Sequence, residues 1–293
     1  MDRIPEIRRY AEHGALVLRE GLSICFYMRR SHQQVAQDVR QALETYLRAV
    51  GPRALEWYVD PEGDWQELDG QGWQVIQNKL SESGGGIVEL YERPDAVSRY
   101  LFEYRGRSFD SNDLDSVCGV AFWLPTEYLD EHGPGRVREL ALELGSALPF
   151  NSGHAGLAFN FLYLPPDFQS LALRYPGLDA FGLGSISADL GTRVRGAHWL
   201  TFLGQPVLGE LGGAAGLRSR LSSPDITVQE MDADRAVVTL GAWPEAGDTE
   251  QGQHLPLHRE LARVLEPWRH HERYRWHEFS AEDMRRWERR FLD

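Results

Sequence analysis

The chain has few of the residues and patterns that announce a chemistry. Two cysteines occur in 293 residues, Cys25 and Cys118, each inside an apolar run and neither in a C-x-x-C pair. Buried free thiols are the expectation, with neither disulfide staples nor a thiolate metal site. No apolar run reaches the roughly 18 residues that a membrane-spanning helix needs. The start, MDRIPEIRRYAEHG, carries positive charge with no apolar stretch behind it, so no secretory signal is expected and a cytoplasmic setting is.

Motifs for catalysis are missing as well. Ser152 in NSGHAG and Ser185 in GLGSIS lack the G-x-S-x-G frame, and no G-x-G-x-x-G or Walker A pattern occurs. The glycines of GELGGAAG at 209–216 precede a helix with the wrong spacing for a dinucleotide turn. His254 and His258 are four apart, but Pro256 between them breaks a helix interior. His270, His271 and His277 lie among Arg and Glu, the pattern of a solvated surface. His154 and His198 sit in apolar strands, the setting of hydrogen-bonded core histidines. The acidic run EWYVDPEGDWQELDGQG at 56–72 has Gly63 fourth from Asp60 and Gln71 twelfth, whereas an EF-hand loop needs glycine sixth and glutamate twelfth. A protein with no catalytic residues, cofactor or metal is expected. The competing expectation is an enzyme or small-molecule-binding α+β protein with a pocket near His154 and His198.

Charge is present with a strong bias. The formal net charge is −13, and residues 54–131 hold 17 acidic against 5 basic residues, a net of −12. That block excludes direct nucleic-acid binding, since phosphate contacts need the opposite sign. It suits a basic protein partner as well as plain solubility. Within it, Asp60, Glu62, Asp64, Glu67 and Asp69 surround Trp65 in a turn-rich stretch, and SNDLDS adds Asp110, Asp113 and Asp115. These nine residues are the candidate partner-binding set, with the mixed-charge tail around Trp276 as a rival.

The expected core lies between Ser116 and Asn160. Val117 to Leu124 reads as a buried strand that Pro125 ends. TEYLDEH is a short helix ending at Gly133, and a second helix starts at Pro134. Its Val137, Leu140, Ala141, Leu144 and Leu148 make one apolar stripe, and a strand returns over 153–161.

Upstream, ALVLREGLSICFYMR reads as a hairpin with Glu20-Gly21 near its turn. A helix follows, capped by Ser31 with Gln34 and stopped at Gly51. Trp73 to Leu80 is a short helix, and IVELYE with RYLFEYRGRSF a hairpin through Pro94-Asp95. After Phe161 a long connection with one short helix is expected. VRGAHWL at 194–200 echoes VCGVAFWL at 117–124, an offset near 77 residues, so 117–161 and 194–241 read as a diverged duplication. TVQEMDADRAVVTLG is strand-turn-strand. Helices over about 256–266 and after Ser280 finish the chain, the last with Met284, Trp287 and Phe291 on one face. The class is α+β in a single domain over 1–293, with antiparallel or mixed sheets, packed helices and two pseudo-symmetric halves.

The run VAFWLPTEYLDEHGPGRVRELALELGSALPFNSGHAGLAFN, with RYPGLD, LGTRVRGAHWLTFLGQPVLGELGG and FSAEDMRRWERRFLD, resembles the type VI secretion immunity family associated with VRR-Nuc nuclease effectors. The resemblance extends from about Gly14 to Asp293. It implies a cytoplasmic protein that binds a cognate nuclease effector and blocks it, protecting the producing cell or its kin. The charge and the absence of a long apolar run add the expectation of no nucleic acid and no membrane among its partners.

Overall fold

A computed structural model describes residues 4–109, 115–273, 276 and 279–293. The first half of the chain forms β1 (Arg8–Tyr10), β2 (Leu16–Met28), α1 (His32–Val50), β3 (Trp57–Val59), β4 (Trp65–Glu67), α2 (Gly70–Ser81), β5 (Ile87–Tyr91), β6 (Leu101–Arg105) and β7 (Cys118–Leu124). Then come α3 (Thr126–Ala147), β8 (Ser152–Phe161), α4 (Phe168–Arg174), α5 (Leu183–Asp189) and β9 (Leu200–Leu203). The chain ends with α6 (Val207–Glu210), α7 (Gly213–Ser219), β10 (Ile226–Glu230), β11 (Ala236–Leu240), α8 (Pro256–Leu265) and α9 (Ala281–Glu288). The described strands make one sheet in the order β10-β11-β9-β8-β2-β7-β6-β5-β3-β4, with β1 also on β2. Every strand pairing is antiparallel, and the class is α+β as expected.

Residues 16–28 are one strand and not the expected hairpin. Glu20 and Gly21 mark the point where β2 changes partner, from β1 (opposite Leu16–Arg19) to β7 (opposite Leu22–Met28). The Glu20 carboxylate is buried, accepts the Ile7 N–H at 2.8 Å and the Thr126 hydroxyl at 3.0 Å, and pairs with Arg8. A Cβ at Gly21 would stand 3.1 Å from the Leu124 carbonyl oxygen, so the glycine allows a close approach of strands. A local turn signal was overridden by tertiary pairing.

One face of the sheet carries α1, α2 and α3. The α1 stripe Val35, Val39, Leu43 and Tyr46 is buried, and the Tyr46 hydroxyl donates to the Trp123 carbonyl at 2.5 Å. The Ser31 N–H donates to Gln34 Oε1 at 3.0 Å, and Gly51 ends the helix at φ +98°. In α3 the break falls where expected: Gly133, at φ 76° and ψ 164°, takes the extended ψ that a following proline demands. Val137, Leu140, Ala141 and Leu144 then face the core.

The other face is covered in part. On it, α5 packs Leu183, Ile186 and Leu190 against Cys25, Tyr27, Ala121 and Trp123. The connection after Phe161 therefore holds two helices, α4 and α5, where one was expected. Glycine-rich GLGSIS reads as loop and becomes helical because its apolar residues are buried on the sheet. At the far end, α6, α7 and α8 pack on β9, β11 and β10. Ser280 caps α9 by accepting the Asp283 N–H at 3.1 Å, and Met284, Trp287 and Phe291 are buried.

Asp179, in the connection between α4 and α5, ties these segments together. Its carboxylate is buried and meets Arg195 Nε at 3.3 Å, Arg290 Nη2 at 3.2 Å and His198 Nε2 at 3.1 Å. Burial alone would raise its pKa; Arg195, His198 and Arg290 more than reverse this and hold it well below the usual carboxylate range.

Leu140→Ala or Leu144→Ala should each destabilise the fold by about 2–5 kcal/mol, the range for a buried leucine; unchanged urea midpoints in both would contradict the placement of α3. A carboxylate depressed in the folded state contributes stability that is complete above its unfolded pKa of 3.8 and fades as pH falls through the lower folded value. Asp179→Asn should cost about 3–5 kcal/mol at pH 7, because Arg195 and Arg290 lose their buried partner. It should also flatten the loss of stability below about pH 4. Urea unfolding across pH measures both effects.

Candidate partner-binding surface and the buried histidines

Five of the nine candidate residues lie on the β3–β4 hairpin at one end of the sheet, where Trp57 pairs with Glu67 and Val59 with Trp65, and Asp69 follows it at the start of α2. Asp60 holds the turn itself: its carboxylate accepts the N–H groups of Glu62 at 3.1 Å and Asp64 at 2.9 Å and the Gln66 amide at 2.9 Å. The N–H of Asp64, with the Gln66 amide, lowers its pKa. Gly63 sits at φ +94°, which favours glycine in this loop. Asp69 caps α2, accepting the N–H groups of Gln71 and Gly72, both at 2.9 Å. Two of the five turn carboxylates thus serve the local fold. Glu62, Asp64 and Glu67 are exposed, and half-buried Trp65 stands edge-on to Tyr91 at 4.9 Å.

Asp115 does not join them. It pairs with Arg273 at 2.9 Å and Arg193 at 3.5 Å, next to the segment that follows α5. Asp110 and Asp113 lie outside the described residues.

Sequence reasoning missed the sheet face beside the hairpin. Tyr91 donates its hydroxyl to Glu89 at 2.8 Å; Arg105 pairs with Glu89 and lies 3.8 Å from Glu103; and Trp123 Nε1 donates to Glu103 at 2.9 Å. Trp123 stacks on Phe181 at 5.4 Å, within the cluster under α5. Period-2 alternation hints at this face within each strand. Only the cross-strand register brings its members together.

His154, Asp179 and His198 converge on the covered part of the same face, a possible metal-ligand trio by composition. Their geometry opposes that use. The two imidazoles stack at 4.2 Å with planes 20° apart, while ligation needs an ion in the plane of each ring at about 2.1 Å, which near-parallel stacked planes do not share. Arg195 and Arg290 already bring positive charge to Asp179. Burial, aided by His198, lowers the His154 pKa well below its ordinary value, keeping that ring neutral. With His154 at 1% and His198 at 6% exposure, a substrate reaches neither ring unless the fold opens.

His270 corrects its expected placement. It is buried, 3.3 Å from Asp189, and burial pushes its pKa down to about 3. Flanking arginines hide this in the sequence. His271 is exposed as expected, and His277 lies outside the described residues. His258 is buried against Phe291, on a helix that begins at Pro256 and so excludes His254. Cys25 and Cys118 are buried free thiols.

No helix among the described residues is long and apolar enough to cross a membrane. A comparison with curated proteins finds no match. The chain is similar in structure to a protein described as Pseudomonas aeruginosa T6SS protein PA0821, with a TM-score of 0.81 and 21% identity over 98% of this chain and 87% of that one. Identity that low speaks for a shared fold. A family profile, TsiV, described as type VI immunity for VRR-NUC, matches residues 38–291. With most of its length inside that profile, the chain belongs to the TsiV family of type VI immunity proteins for VRR-NUC.

Proposed function

We propose that this chain acts in the cytoplasm, where it binds a cognate VRR-NUC effector and neutralises it, protecting the producing cell and its kin without catalysis of its own. The observation that carries the reading is the concentration of exposed carboxylates on one hairpin, inside a segment of net charge −12. A nuclease has to hold phosphates with Arg and Lys, so its substrate groove is a fixed basic target. Carboxylates at that groove speed encounter and set register, and Trp65 supplies area that can be buried. The same charge repels nucleic acid and anionic lipid. The buried state of His154 and His198 favours inhibition by contact over chemistry.

Because Asp60 and Asp69 hold the turn and the α2 cap, reversing them would disturb the hairpin itself. The cleaner variant is Glu62→Lys, Asp64→Lys and Glu67→Lys together. It should slow association with the catalytically inactivated effector about tenfold at low salt, with the difference shrinking as salt screens the charges. A folded triple variant associating at the wild-type rate in low salt would exclude this hairpin as the docking site. For the non-catalytic role, a folded His154→Gln variant should still protect cells expressing the effector. Loss of protection with stability and effector binding intact would point to chemistry instead.

A further inference from the structure

We infer that the docking surface continues from the hairpin onto the uncovered sheet face of β5, β3 and β4, and that it takes an arginine- or lysine-bearing surface of the protein partner. The inference rests on the proposed antidote role and adds where, and by what chemistry, the partner is held.

The register fixes the composition of this face. Trp57 pairs with both Glu67 and Tyr91, Val59 with Trp65, Tyr91 with Leu101, Glu89 with Glu103 and Ile87 with Arg105. Side chains at directly paired positions share a face, so Trp57, Val59, Trp65, Ile87 and Tyr91 stand together. The alternate residues Tyr58, Val88, Leu90 and Phe102 point into the helical layer and are buried. Across the sheet, the cluster under α5 runs through Trp123 and Phe181 to Leu101, and Tyr91 packs on its edge. At and beyond that edge Ile87 is 61% exposed, and Trp57, Val59, Trp65 and Tyr91 are only half-buried. A solvated face of an antiparallel sheet is normally polar, so this aromatic and aliphatic grouping needs a reason.

Charge selects the occupant. Glu67 and Glu89 stand among the rings with Glu103 at their border, and Arg105 is engaged by both Glu89 and Glu103. Exposed Glu62 and Asp64 extend the acidic margin along the hairpin. A second copy of this chain would set one segment of net charge −12 against another. A basic protein surface meets both requirements: guanidinium groups lie over the rings, the aliphatic stems of Arg and Lys cover Ile87 and Val59, and the carboxylates pair with the head groups. The exposed Tyr10, Leu162 and Tyr163 offer a contrast, because the arginines near Tyr10 are already matched, Arg8 by Glu20 and Arg9 by Asp167. That patch has no such selection.

The test is binding kinetics of the full chain with the catalytically inactivated VRR-NUC effector. Ile87→Lys alters a solvent-facing side chain, and Tyr91→Ala removes the ring that Trp65 meets; thermal melts establish that each variant is folded. Each should raise Kd about 10- to 100-fold, mainly through faster dissociation, while Tyr163→Ser binds as wild type. If folded Ile87→Lys and Tyr91→Ala both bind as wild type, while the Glu62, Asp64 and Glu67 reversal slows association, the sheet face is excluded and the antidote role stands. Equal weakening by Tyr163→Ser would overturn the choice of face. Failure of the wild-type chain to bind the effector would remove the antidote role and this inference with it.

Discussion

The structure depends on β2. From Val17 to Met28 every residue is buried, and β8 pairs along Leu18 to Tyr27 on one side while β1 and then β7 share the other. Both long neighbours run antiparallel to β2 and therefore parallel to each other, so the chain from β7 to β8 has to cross over β2. Parallel strands need a crossover of a dozen or more residues, and α3 supplies it, packing on β2 as it passes. This is why the apolar record of the chain is densest between Ser116 and Asn160. Placing Glu20 inside so dry a strand is tolerable only because Arg8, Thr126 and the Ile7 N–H satisfy it, which in turn fixes β1 and the start of α3.

Sheet width then makes the two faces unequal. On one face α1, α2 and α3 cover the strands from β2 outward to β5. On the other, α5 has seven residues. A helix of that size is about 10 Å long, and strands are spaced about 4.8 Å apart, so it shields little more than two of them. Tyr91 packs on the edge of that layer, and Trp57 and Trp65 lie beyond it, on the same end of the sheet as the acidic hairpin. Aromatic surface and negative charge are adjacent for a topological reason.

Elements set by local chemistry were legible in the sequence. The strand over 117–124, the break at Gly133-Pro134, the stripe from Val137 to Leu144 and the Ser31 and Ser280 caps each follow from a few neighbouring residues. Elements decided by distant partners were not. Glu20-Gly21 looks like a turn until Arg8 and Leu124 come into place beside it. His270 looks solvated until it is set against Asp189. The helical state of GLGSIS depends on a sheet it does not touch in sequence. The candidate site divides in the same way: Asp60-Pro61 and Asp69-Gly70 announce turns, and the structure uses both aspartates as turn and cap residues, while the open face exists only through the pairing of β3, β4, β5 and β6.

That division changes what the acidic excess means. Many carboxylates of the segment 54–131 are committed within the fold: Asp60 and Asp69 to backbone N–H groups, Glu92 to Arg99, Glu127 to Arg8 and Arg19, and Asp115 to Arg193 and Arg273. A carboxylate already matched by a guanidinium contributes little to a field felt at a distance, since the pair is a dipole that solvent and salt screen quickly. Glu62, Asp64 and Glu67 are exposed on the outermost hairpin, and the Glu89–Arg105–Glu103 group next to it carries two carboxylates for one cation. The hairpin thus places three exposed carboxylates beside the half-buried rings of Trp57, Trp65 and Tyr91. On the proposed docking mode, a basic surface is drawn to the hairpin first and finds, directly beside it, the apolar area that slows its departure.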